Sequence, residues 1–436
     1  MGKGFVTRER KMAGFKTRLA LVFMVVIVFS GASAFGKTVV VCPTSCAFHS
    51  INLALQSAGK GDIILVEKGI YREKGILIRK SVSLIGKNNP VLDGENRKQN
   101  VIAVMADHVI IKGFTIENSG SSYVNDVAGV KFIRVNDCLL VNDVLKNDCY
   151  GVYLAGSSHC IIKNNRFYGD ARNEISGGDG IHAWHSKYLL IAKNRIIGQR
   201  DGVYFEFVKH ALVFRNLFKN NVRYGLHFMF SNHDQYLENR FEENGTGSAI
   251  MYSKHILIKE NIFDHNQGFS AYGLLLKAIG HSLLFKNSFF RNTTGIQDDE
   301  CNDLTIKENN FLENGWAVKL FADSSNNFFT LNNFIGNTFD VTYNGDHSEG
   351  NRFVENYWDT YRGYDLDKDG IGDVPFYPIK ISSVIVQDYP DSAVLLRSLL
   401  FNLLNQAEEA FPVFRKSLLV DPKPLMKKVK WRLYRF

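Results

Sequence analysis

The 436-residue chain carries a formal net charge of +8, which taken whole would invite a nucleic-acid partner. The charge sits at the two ends: residues 1–34 hold +5 and residues 423–436 hold +6, leaving −3 on the body between them. A body of that charge has no electrostatic footprint for phosphate backbones, so no nucleic acid is expected.

From the N-terminus, a basic stretch (Lys3 to Arg18) is followed by an apolar run, Leu19 to Phe29, and by "SGASA" with small residues at Ala32 and Ala34. This is the pattern of a Sec-type signal peptide over 1–34, cut after Ala34. The run is too short to span a bilayer comfortably, so the mature chain is expected to be exported. Exported cysteines are open to oxidation, and "CPTSC" (Cys42, Cys46) either closes a small disulfide loop or is a weak metal signal. Residues 50–58 read as a capping helix, followed by irregular strand-forming segments.

From Gly129 a repeat takes over, a glycine or alanine followed by alternating apolar residues and then by Asn-x-Phe. It begins at Gly129, Gly151, Gly180, Gly202, Gly225, Ala249, Gly273, Gly295 and Ala317. Most spacings are 22 to 24 residues, too short for a βαβ unit, and the segments are short alternating strands punctuated by Gly and Asn. The predicted fold is all-β, a right-handed single-stranded parallel β-helix over 35–360 with about 11–12 coils. Stacking places equivalent residues about 4.8 Å apart. Asn142, Asn165, Asn194, Asn216, Asn239, Asn261, Asn287, Asn309, Asn332 and Asn356 are expected to pass amide hydrogen bonds along the stack. Phe167, Phe218, Phe241, Phe263, Phe289, Phe311 and Phe334 are expected to pile up inside it. Cys138 and Cys160, on successive coils, are either small core residues or a disulfide pair.

Strand alternation assigns an outward column two residues past each repeat start, Tyr153, His182, Tyr204, His227 and Met251, and a second four past it, Ala155, Trp184, Glu206, Met229 and Ser253. His227 and Met229 are then about 7 Å apart along one strand, with Met251 beside His227 on the next coil at about 4.8 Å. Imidazole with thioether, without thiolates or clustered carboxylates, suits Cu(I). His182, two coils away, would serve a relay or a second site. The same face, with Trp184 and Tyr204, reads equally as a surface for docking a protein without metal. His159, His210, His233 and His281 fall in the turn, where histidine tolerates the left-handed backbone.

Parallel β-helices also carry polysaccharide hydrolases, lyases and epimerases. Asp179 and Asp201 are the candidate carboxylate pair for such chemistry, but no Arg or Lys set is expected around them. Downstream, 361–391 reads as an acidic loop and linker. Its "DLDKDGIGD" offers Asp365, Asp367, Asp369 and Asp373 with Gly370 at the sixth position, either a calcium loop lacking its twelfth-position Glu or a rigid acidic turn. The last segment, 392–436, is a helix with a wide apolar stripe (Leu395, Leu399, Leu403) and a basic tail. The stripe caps the stack or docks on a partner. The tail, with Leu425, Met426, Trp431, Leu433 and Tyr434 among its cations, rests on an anionic membrane surface or beside a membrane partner, or is solvated.

The segments "GDGIHAW", "RDGVYFEFV", "RYGLHFMFSN", "AIMYSK", "SAYGLLLK", "NYWDTYRGYDLDKDGIGDVPF" and "DPKPLM" resemble the NosD family of exported accessory proteins for nitrous oxide reductase maturation. The resemblance implies a non-enzymatic periplasmic protein. It would work with the ATPase and membrane subunits of an ABC transporter and with a copper chaperone to deliver copper to the reductase. It also implies copper contact at His182, His227, Met229 and Met251, or a partner-binding face there, and transporter contact from Ser392 onward. The "CPTSC" segment and the final "KKVKWRLYRF" depart from the family pattern.

Overall fold

The computed structural model describes residues 36–122, 125–174, 177–345, 347–410 and 419–430. The segment 1–34 expected as a signal peptide, and Trp431, Leu433 and Tyr434 of the basic tail, lie outside them. Three parallel sheets of 14, 12 and 13 strands run the length of the stack, each turn giving one strand to each sheet. The chain thus winds through about fourteen turns, more than the repeat alone predicts. The extra turns come from the segment before Gly129, where Thr38–Val41, Ile63–Val66, Ser83–Gly86 and Ile110–Lys112 join the first sheet without the Gly and Asn signature.

The glycine at the head of each repeat is required by close approach. A Cβ on Gly180, Gly202, Gly225, Gly247 or Gly273 would come within 2.4–2.8 Å of the carbonyl oxygen of the next glycine in the column. The fourth of these is Gly247, which corrects the register expected from Ala249. Tyr224 pairs with Thr246, His227 with Ala249 and Met229 with Met251. Met251 therefore stands beside Met229, and Tyr252 is exposed. The following turn is 26 residues long and carries a loop around the fully exposed Phe269.

Inside, the asparagines form a continuous ladder. Each side-chain oxygen accepts the backbone N–H and side-chain amide of the asparagine one turn earlier, from Asn165 through Asn356. Asn142 is not part of it; the place above Asn165 belongs to Asp143, whose N–H donates to Asn165. A second ladder, Asn221, Asn244, Asn266, Asn292, Asn314 and Asn337, runs beside the first. The phenylalanines stack as expected from Phe218 to Phe334, with centroids 4.8–5.0 Å apart, and end on Trp358. Ile196 separates Phe167 from this run.

Both ends are closed. The helix Ile51–Ser57, capped by Ser50, covers the first turns, and Cys42 and Cys46 are disulfide-bonded. At the other end Asp421 finishes the first ladder: its carboxylate accepts from the Glu355 and Asn356 backbone, the Asn356 amide and the Trp358 indole. A helix, Ile381–Asp388, lies inside the stretch expected as linker, and its Val386 packs with Phe339 and Phe401 against the end of the 12-stranded sheet. The helix expected after Ser392 is divided into a 3-10 segment, Pro390–Leu395, and an α-helix, Leu399–Ala410.

Candidate metal and docking face

The outer face of the 12-stranded sheet carries the candidate residues on the strands Asp179–Trp184, Asp201–Glu206, Tyr224–Met229 and Thr246–Met251. Alternation puts Ile181, Ala183, Leu226 and Phe228 in the core and the histidines on the opposite side. His182 and His227 are nevertheless buried, because aromatic rings from neighbouring turns cover them. Tyr153 stacks on His182 at 4.8 Å, Tyr204 meets His182 edge-on at 4.8 Å, and Tyr204 stacks on His227 at 4.6 Å. His182 and His227 are thus separated by one phenol.

In the adjacent column Glu206, Met229 and Met251 follow one another on successive turns. The Tyr204 hydroxyl donates to Met229 Sδ at 3.5 Å, so Tyr204 touches both His227 and Met229. Burial first, then the charges of Glu206 and Asp179, pushes the Tyr204 phenol up to about 12, which keeps its proton in place as a donor. Trp184 stands 42% exposed at the rim, against His185.

Asp179 and Asp201 are paired in register and fully buried. The expectation that no basic residues surround them is overturned. Arg200 donates to Asp179 at 2.8 Å, and Arg223 donates to Asp201 through Nε at 3.0 Å and Nη2 at 2.5 Å. Both arginines sit one residue before their strand, in the turn, where a count of strand columns does not look. His182 Nδ1 lies 2.8 Å from Asp179. His227 Nδ1 lies 3.2 Å from Arg223 Nη2 and 3.6 Å from Asp201 Oδ2. Burial opposes ionisation of Asp201, but the His227 and Arg223 hydrogen bonds and the Arg223 and Arg200 charges outweigh it and hold its carboxyl below the usual range. Two buried nitrogens of the cluster have no partner, His227 Nε2 and Arg200 Nε.

The remaining candidates are scattered. Asp365, Asp367 and Asp369 bring carboxylate oxygens together, but Asp365 accepts from the Asp369 and Gly370 N–H groups and Asp373 from Leu366 N–H. Phe376, at the twelfth position, packs on Trp358. The loop's carboxylates serve its own backbone, and nothing there beyond acidic oxygens points to calcium. Leu395, Leu399 and Leu403 are exposed, Leu399 at 73%. Cys138 and Cys160 are free thiols in the core.

Fold and face together define a parallel β-helix with a thioether pair on its outer surface and a buried, charge-balanced Asp–Arg–His cluster behind it. Residues 171–363 match the family described as "Periplasmic copper-binding protein (NosD)". Over that stretch the chain is similar to the NosD family. It is 29% identical over 355 residues to the "Probable ABC transporter binding protein NosD" of Pseudomonas aeruginosa, covering 75% of this chain and 80% of the relative. The protein of the same name from Stutzerimonas stutzeri is 27% identical over 346 residues, covering 75% and 78%. Among solved structures, the A-module of the mannuronan C-5 epimerase AlgE6 of Azotobacter vinelandii superposes with a TM-score of 0.57 at 11% identity, over 69% of this chain and 93% of that one. That likeness is one of fold alone.

Proposed function

We propose that this chain is a periplasmic accessory protein that handles copper beside an ABC transporter, and that with a copper chaperone it serves assembly of the copper centre of nitrous oxide reductase. The observation that carries the reading is the register pair Met229 and Met251, with His227 two residues from Met229 on the same face. Two thioethers and an imidazole are a soft donor set that suits Cu(I) over zinc or magnesium. His227 fits as the third donor because its Nε2 is buried without a partner. Ligation through Nε2 requires the proton on Nδ1, with Asp201 as its acceptor in place of the Arg223 contact, the familiar carboxylate–histidine–metal arrangement. His182, behind Tyr204, supports that face from the next turn but one and is not a ligand of the same ion.

The chain acts by binding and not by turnover in this reading. A glycosidic acid needs a carboxyl that holds its proton near neutral pH and reaches substrate, whereas Asp179 and Asp201 are fully buried and tied to guanidinium groups. Leu395, Leu399 and Leu403 supply an apolar surface for the transporter, and Trp184 with Tyr204 one for the copper carrier. The test is an anaerobic Cu(I) titration against a competing chelator, comparing the chain with His227→Ala/Met229→Leu/Met251→Leu. Tight binding in the first that is lost in the second is expected; equal binding in both would reduce this face to a docking surface.

A further inference from the structure

The register that aligns Gly247 with Gly225 also completes a column that spacing from Ala249 leaves broken. Eight residues past each glycine stand His159, Tyr188, His210, His233, His255 and His281, and then Asp303. All seven have left-handed backbones, with φ between 51° and 61°. All are exposed, and the rings stack turn upon turn with centroids 4.8–5.5 Å apart. Turn formation alone does not select histidine, because asparagine accepts that backbone at least as well and does so elsewhere in this chain, at Asn164 and Asn220. Four consecutive imidazoles, His210 to His281, call for a chemical reason.

We infer that His255 and His281, with His233 beside them and Asp303 behind, form a site for a borderline divalent cation, Zn2+ or Cu2+, separate from the thioether pair. The donors decide the class. Imidazole and carboxylate without sulfur favour a borderline divalent ion over Cu(I). His281 Nδ1 lies 3.1 Å from Asp303 Oδ2, and a carboxylate there favours the tautomer with its proton on Nδ1, which leaves the Nε2 lone pair for the ion.

Spacing sets the stoichiometry. Metal–imidazole bonds of about 2.0–2.1 Å allow two ligand nitrogens to stand up to about 4 Å apart. His255 and His281 stack nearly face to face, 17° between planes and 5.5 Å between centroids, so both must turn about χ2 out of the stack before their in-plane lone pairs meet one ion, which exposed side chains can do. His233 and His281 are two turns, about 10 Å, apart and cannot share an ion. Each ion therefore takes two adjacent rings and completes its coordination with water, and His255 serves one neighbour at a time.

The experiment is a calorimetric Zn2+ titration of the full chain beside three variants: His255→Asn/His281→Asn, Asp303→Asn and Met229→Leu/Met251→Leu. Asparagine keeps the left-handed turn, so loss of binding reports the ligands and not the fold. Saturable Zn2+ binding is expected in the native chain and unchanged in the methionine variant. It should be lost in the histidine variant and about tenfold weaker in Asp303→Asn. Carbethoxylation of the native chain's exposed imidazoles should abolish it as well, with no substitution made. An absence of saturable Zn2+ binding, or equal binding in the folded histidine variant, would overturn the site. Neither result bears on Cu(I) at the methionines, because Zn2+ is a poor match for thioether.

Discussion

Along the inside of the stack one position per turn stays asparagine from Asn165 to Asn356, while on the outer face the position two past each glycine runs Tyr153, His182, Tyr204, His227, Ala249, Leu275, Gln297 and Lys319. The two columns belong to the same coils and share one spacing. The inner one repeats because each asparagine satisfies buried groups of its neighbour, so a change at one turn leaves donors stranded at the next. The outer one is free of that duty and varies, and chemistry has collected over a few turns of it. The contrast predicts which substitutions unfold the chain and which leave it standing.

The largest effect is expected inside. Asn261→Leu removes the acceptor for the Asn239 backbone and side-chain amides and the donor to the Tyr236 carbonyl, all buried. Several stranded groups at about 1–3 kcal/mol each put the loss near 4 kcal/mol or more, visible as a lower denaturation midpoint. A loss under about 1 kcal/mol would mean the ladder is replaceable and would break the comparison.

A smaller, pH-dependent effect marks the carboxyls buried in the stack. Burial raises Asp298, at 1% exposure, to about 7, with hydrogen bonds from Ser324 and Cys301 pulling the other way. Asp143, in the asparagine column, and Asp340 are likewise raised to about 7, by burial first. A folded pKa above the unfolded one means these groups favour the fold fully below about pH 4, and that stability is lost as pH climbs to about 7 and is flat beyond it. For Asp298 the loss amounts to about 2–4 kcal/mol. Asp298→Asn, which stays neutral, should flatten that part of the stability profile between pH 4 and about 7, read by denaturant midpoints across pH. A profile as steep as the native one would place the proton elsewhere.

Much of this architecture was legible in the residues. The Gly and Asn spacing implied stacked coils, the phenylalanine period implied an internal pile, and the turn histidines implied left-handed backbones, as found. What escaped has physical causes. In "GTGSAI" small residues fill Gly245 through Ala249, so spacing could not tell Gly247 from Ala249, and only the close carbonyl approach at Gly247 decides. Arg200 and Arg223 escaped because each sits in a turn and reaches an aspartate on the strand one coil earlier. Asp421 completes a ladder 65 residues upstream at Asn356, a contact no repeat period encodes.

The smallest stability effect is expected at the residues of greatest functional interest. Met229→Leu with Met251→Leu keeps volume and shape at two half-exposed positions and removes only the Tyr204 hydroxyl contact to Met229. Such swaps cost below about 1 kcal/mol, and here the cost should fall near zero because no buried group is stranded. A thermal midpoint unchanged from the native chain would show that the thioethers are not there for the fold and leaves ligand binding as their reason. A loss approaching that of Asn261→Leu would reverse the argument: the methionine column would then be packing, and the outer face would differ from the inner one in degree and not in kind.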